Sequence, residues 1–193
     1  MLRQARHKNV FYWYNLAMVE KGLVILYTGE GKGKTTAALG LVLRAVGYKK
    51  KCLIVQFGKS WFTGELVGIK KLSPYVKIIQ GGKGFLGILG SKVGKEEHKK
   101  AANEAYNILY KEIISGKWDV VVADEIVGAV SSGVLPLSQV VKLIKSKPRG
   151  LDLVLTGHKA FKKLIQMADL VTEMQEVKHP FQKGILAKRG IDF

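Results

Sequence analysis

Hydrophobic positions along this chain follow two rhythms. Short β-branched runs occur at "LVILYT" (23–28), "CLIVQF" (52–57), "VKIIQ" (76–80), "DVVVAD" (119–124) and "LDLVLT" (151–156). Such runs, almost free of polar breaks, read as strands buried on both faces. "ADLVTEM" (168–174) offers a sixth. Between the runs the apolar spacing changes to three and four, which predicts helices over 34–46, 95–115, 137–144 and 159–167. In the second of these, Ala101, Ala105, Ile108, Leu109 and Ile113 fall on one face. Pro136 stands where a first helical turn would begin. Strand–helix alternation implies right-handed crossovers. The expected fold is α/β, a three-layer sandwich with a mainly parallel sheet of five to six strands. Sheets of this kind take ligands outside the carboxyl ends of their strands.

The first such end carries "TGEGKGKTT", Thr28 to Thr36. A phosphate-binding loop usually reads G-x-x-x-x-G-K-[ST]. Here Gly33, Lys34 and Thr35 complete the pattern, but Thr28 occupies the place of its first glycine. Gly29, Gly31 and Gly33 still permit a tight turn whose backbone N–H groups curl round an anion. The next helix points its positive end at the same place. Lys34 supplies a mobile cation, and the Thr35 hydroxyl suits Mg²⁺. Glu30, Lys32 and Thr36 complete the expected ATP-binding loop of a P-loop (RecA-like) domain.

The fourth run ends in Asp124 and Glu125. An acidic residue at a strand tip beside a phosphate loop is where a Mg²⁺ partner is expected. Glu125 poses a fork. In an ATPase it would polarise the attacking water; in a transferase it would have another task, such as a hydrogen bond to the nucleotide. At the end of the fifth run, His158 is placed to sense or clamp phosphate.

Composition narrows the class. The chain has 193 residues, 47% of them apolar, enough for one domain with a substantial core. Its single cysteine, Cys52, lies in an apolar run, so no internal disulfide is possible and a reducing cytoplasm is expected. The net charge of +17 attracts polyanions. The lysines are scattered at helical spacing and read as solvated faces, so nucleic acid is not the expected partner. No apolar run reaches the roughly 18 residues that span a bilayer. The basic, aromatic-rich residues 1–20 read as an N-terminal arm or extension, dispensable if translation begins at Met18, with the catalytic domain over 21–193. The glycine-rich stretch from Gln80 to Glu97 is long enough to be a functional or mobile loop.

Taken together, "TGEGKGKTTAALG", "VQFGK", "WDVVVADEI", "LVLTG", "ADLVTEM" and "VKHPFQKGILAKRGIDF" resemble the P-loop-type ATP:corrinoid adenosyltransferases over Gly22 to Phe193. Thr28 is that family's usual form. The resemblance implies that Co(I) of a reduced corrinoid attacks the 5′ carbon of ATP and that triphosphate leaves, with Mg²⁺ as cofactor. It implies a homodimer and an electron-donating flavoprotein or other reductant. It assigns Arg44 to ATP, and Phe57, Lys59, Glu65, Phe85, His179 and Phe181 to the corrinoid. Two positions depart from the pattern: His158 replaces an arginine, and Gly87 stands where a tryptophan crowds the corrinoid's lower face. Two rival readings are a RecA-like ATPase acting on nucleic acid and a corrinoid or nucleotide carrier without chemistry.

Overall fold

The computed structural model describes residues 21–82, 84 and 94–193. Six strands form one sheet: β1 (Val24–Thr28), β2 (Cys52–Phe57), β3 (Val76–Gly81), β4 (Val120–Asp124), β5 (Asp152–Thr156) and β6 (Leu170–Glu173). Their order across the sheet is β3-β2-β4-β5-β1-β6, and every pairing is parallel. The sixth strand is therefore real, and the sheet is wholly rather than mainly parallel. Helices connect the strands: α1 (Lys34–Gly47), α2 (Glu65–Lys70), α3 (Lys95–Ile114), α4 (Ile126–Ser131), α5 (Leu137–Ser146) and α6 (Lys162–Met167).

Strand side chains alternate between two cores, as a period of two demands. Leu26, Leu53, Val55, Val121 and Leu155 pack with Ala105, Leu109 and Ile113 of α3 and Val140 and Leu143 of α5. Ile25, Cys52, Ile54, Val122 and Val154 pack on the other face against Ala38, Val42 and Ala45 of α1. Because both faces are covered, strands β2 and β4 are buried along their whole length. Uninterrupted apolar runs in the sequence are the direct consequence.

Several element boundaries differ from those expected. The helix expected from residue 159 starts at Lys162, because Lys159 has φ 41° and Phe161, the cap, is extended. Helices α2 and α4 are six residues each, too short to show a periodicity in sequence.

With every strand parallel, all six carboxyl ends lie on one edge of the sheet. Thr28, Phe57, Gly81, Asp124, Thr156 and Glu173 end their strands there. The buried polar residues Thr28, Lys34, Gln56, Asp124 and Thr156 lie at or just past these tips.

Cys52 lies at the start of β2 and is fully buried, and that burial pushes its thiol up to about 11. The thiolate is the reactive form. Iodoacetamide at neutral pH should therefore leave the native protein unmodified and label one site after denaturation, as read by intact mass. Rapid labelling of the native protein would contradict this packing.

Candidate functional site

The loop after β1 is built from both sides. Its backbone is tied to the chain beyond β6: Gly31 N–H donates to Met174 O at 2.8 Å, and Met174 N–H donates to Thr28 O at 2.8 Å. Gly29 has φ +101°, and a Cβ there would meet Met174 O at 2.3 Å, so a side chain is excluded twice over. The Lys34 ammonium folds back onto the carbonyls of Gly29 and Gly31, at 2.7 Å each. Burial lowers its pKa, with Glu125 and Glu30 pulling the other way. No side chain caps the start of α1. Its first N–H groups are thus left for an anion.

Thr28 has a definite structural task. Its side chain is almost wholly buried, and its hydroxyl accepts a hydrogen bond from Ala160 N–H at 3.0 Å. A glycine could not make this bond. It ties the phosphate loop to the loop after β5, which carries His158. Across the gap, His158 Nδ1 lies 3.3 Å from Glu30 Oε2.

Asp124 is the centre of the arrangement and is 1% exposed. Its Oδ1 accepts from the hydroxyls of Thr35 and Thr156, both at 2.8 Å. Its Oδ2 accepts from Gln56 Nε2 at 3.2 Å and faces Lys59 Nζ at 3.3 Å. Gln56 and Lys59 also reach Glu65 Oε1, at 3.0 and 3.2 Å. Burial resists ionisation of Glu65, but the Gln56 hydrogen bond, its own backbone N–H, the Thr63 hydroxyl and the Lys59 charge together outweigh it, and its pKa is lowered. Gln80 donates to Gln56 Oε1 at 3.2 Å and extends the chain of contacts to β3.

Glu125, the next residue, sits in the left-handed region at φ 61°, a costly conformation for a side-chain-bearing residue. Its N–H donates to Thr156 Oγ1 at 2.8 Å, which holds it there. Gly157 follows at φ +145°, where a Cβ would lie 2.5 Å from Gly128 N. Burial raises the pKa of Glu125, Asp124 adds to the rise, and His158, Lys34 and Lys59 oppose it.

Two cavities meet at this point. The larger, about 510 Å³, is lined by the phosphate loop, Lys59, Thr63, Glu65 and residues 190–193. The smaller, about 330 Å³, lies beyond β2 and α4 and includes Phe57 and His98. Glu125 and His158 line both.

A family model described as ATP:corrinoid adenosyltransferase BtuR/CobO/CobP matches residues 20–193. The chain belongs to this family. The corrinoid adenosyltransferase of Escherichia coli K12 is 33% identical over 178 residues, covering 92% of this chain and 88% of that one. A relative of the same name from Sinorhizobium sp is 36% identical over 177 residues, covering 90% and 81%. The corrinoid adenosyltransferase CobA of Salmonella typhimurium is 32% identical over 178 residues, covering 92% and 88%.

The residues expected from this family's pattern divide by position. Glu30, Gly31, Lys32, Gly33, Lys34, Thr35, Thr36, Lys59, Glu65, Glu125 and His158 share the larger cavity. Thr28, Gly29 and Asp124 support it from behind. Arg44 lines neither cavity. It lies in the last turn of α1, ten residues past Lys34 and so about 15 Å along the helix. Phe181 is 69% exposed, and neither it nor His179 lines either cavity. Phe85 and Gly87 lie outside the described residues.

Sequence reasoning missed three neighbours of the site. Thr63 is buried in the larger cavity's wall, its hydroxyl close enough to Glu65 to help keep that carboxylate ionised, although outside hydrogen-bond geometry with any described residue. Asp192 pairs with Lys32 of the phosphate loop. His98 sits within "KEEHKK" and looks like a solvated face. Yet 98, 102 and 105 share one helix face with the core alanines, a signal that was available.

The donor set suits Mg²⁺. This ion takes one or two protein oxygens, with phosphate and water completing its shell. Thr35 Oγ1 and Asp124 Oδ1 are 2.8 Å apart beside the phosphate loop. No group of three or more His, Cys, Asp or Glu among the described residues forms an all-protein cage.

Glu125 yields a prediction with a definite sign. A carboxyl whose folded pKa is raised opposes folding wherever it is ionised. Its penalty is complete above the folded pKa and vanishes below the unfolded one. Ligand-free E125Q should therefore melt above the parent near pH 7. The gap should close as the pH falls towards about 4. Equal melting temperatures near pH 7 in a calorimetric scan would count against a costly buried Glu125.

Proposed function

We propose that the protein is an ATP:cob(I)alamin or corrinoid adenosyltransferase that works in adenosylcobalamin biosynthesis or salvage. The observation that carries this reading is the position of the Lys34–Thr35 loop against the buried Asp124 network, in a chain that belongs to this family. The cobalt of the reduced corrinoid donates an electron pair to C5′ of ATP. The Co–C bond forms as the C5′–O bond breaks, and triphosphate takes the bonding electrons.

The protein supplies no nucleophile to this reaction, so its work is positioning and electrostatics. The N–H groups at the start of α1 and the loop backbone hold the triphosphate. On binding, Lys34 exchanges its two loop carbonyls for phosphate oxygens. Thr35 and Asp124 would hold Mg²⁺, which supplies further positive charge to the leaving group. Glu125 has no proton to move, because neither cobalt nor triphosphate requires one. Lys59 and Glu65 border the larger cavity on the side where a second substrate would approach. His179 and Phe181 join the corrinoid surface on resemblance alone.

A homodimer, a separate reductant and cytoplasmic residence complete the reading. The exposed residues of β6, with Val177 and Leu186 beyond it, offer apolar surface to a second copy. Among the described residues no helix is long and apolar enough to cross a membrane. The family match over residues 20–193 supports placing the catalytic domain over 21–193.

The test uses reduced cob(I)alamin, ATP and Mg²⁺ without oxygen. The product should show the light-sensitive spectrum of a cobalt–carbon bond, with one triphosphate released per bond formed. ADP and phosphate in their place would overturn the proposal. Lys34→Ala should slow adenosyl transfer at least about 100-fold, the scale of losing one preorganised charge contact. Glu125→Gln should retain most of the transfer rate. A Lys34→Ala enzyme with the parent rate would remove that residue from the site.

A further inference from the structure

His98 is unexplained by anything above. It lies in the first turn of α3, is 6% exposed and lines the smaller cavity. Its ring has no hydrogen bond to any described residue, although a buried polar side chain ordinarily finds a partner. Ala102, one turn on, lines the same cavity, so this helix face looks into it. The other neutral polar side chains there are accounted for. Ser131 donates to Gly128 O at 3.0 Å and Ser132 to Ala129 O at 3.2 Å.

We infer that the smaller cavity receives the nucleoside of ATP and that His98 hydrogen-bonds it. This rests on the proposed function for the nucleotide and assigns a new residue to it. Size is the first argument. About 330 Å³ is at the low end for small-molecule pockets, adequate for a nucleoside and too small for a corrin ring. Charge is the second. Among the described residues no lysine or arginine lines this cavity, whereas Lys32, Lys34 and Lys59 line the larger one, where the phosphates are drawn.

Shape is the third argument. Phe57, Ala102, Ala129 and Val134 make apolar walls. At Gly82 a Cβ would come within 2.6 Å of Gly58 N, so two bare backbones form one side. A chamber with such walls suits a flat, uncharged group, and an imidazole can donate from one nitrogen and accept at the other. Phe57 then serves the nucleoside rather than the corrinoid.

Continuity is the fourth argument. Glu125 and His158 line both cavities, so a nucleotide whose triphosphate rests on the loop of 29–36 passes directly into this chamber. The apolar rim of the larger cavity is a poorer seat for the base. Its Ile191 is 73% exposed, Phe193 41% and Trp61 39%.

The test compares ATP with tripolyphosphate, which can occupy only the phosphate loop. Calorimetric titration of the full chain with Mg²⁺, and without corrinoid, reads both. His98→Leu keeps volume and removes the hydrogen bond. It should weaken ATP about tenfold, as expected for one lost hydrogen bond, and leave tripolyphosphate unchanged within about twofold. His98→Gln should recover most of the ATP affinity. Unchanged ATP affinity in His98→Leu overturns the assignment, and so does an equal loss for both ligands. A raised KM for cob(I)alamin with normal ATP binding would give His98 to the corrinoid instead. Because both titrations omit the corrinoid, failure of adenosyl transfer would sink the functional reading and leave this one standing.

Discussion

A single buried carboxylate organises this molecule. An unpaired charge at the depth of Asp124 would cost several kcal/mol, so its surroundings must satisfy it. Thr35, Gln56, Lys59 and Thr156 do so, from α1, from β2 and the loop beyond it, and from β5. Each of those partners has a second task. Thr35 opens the helix behind the phosphate loop, Thr156 holds Glu125 in its strained backbone state, and Lys59 with Gln56 fixes Glu65. The need to neutralise one oxygen pair thus sets the relative positions of the groups that face ATP.

The phosphate loop depends on a second constraint, close backbone contact with the chain after β6. Gly29 and Gly31 lie against Met174 and Gln175 at separations that exclude any side chain. The odd Thr28 belongs to the same logic. It gives up the flexibility of the usual glycine and gains a hydroxyl that anchors the loop bearing His158. Loop shape is therefore enforced from the neighbouring strands rather than by glycine content alone.

The sheet was legible because both faces of β2 and β4 are covered, which leaves unbroken apolar runs in the sequence. The phosphate loop and Asp124 were legible because their chemistry is carried by adjacent residues. What sequence could not convey was convergence from distant segments. Thr63 has no local feature that separates it from surface residues, and His98 has only its helical spacing from Ala102 and Ala105. Their burial depends on how a loop after β2 and the start of α3 pack over the strand tips. Arg44 was placed at the nucleotide by resemblance alone, and it lines neither cavity. The short helices α2 and α4 were invisible because six residues span under two turns.

The strand order has a consequence for how the protein comes to exist. β1 is made early, yet its neighbours are β5 and β6, so Val24 pairs with Leu153 and Ile25 with Leu170. On a ribosome the phosphate loop emerges long before the segments that shape it. Until then β1 presents two unpaired hydrogen-bonding edges and an apolar surface, the usual setting for misassociation. Parallel pairing over such separations is intrinsically slow. The nucleotide site cannot form piecemeal; it appears only once nearly the whole chain is in place. ATP binding then reports completed folding, and a bound nucleotide favours the finished state by mass action.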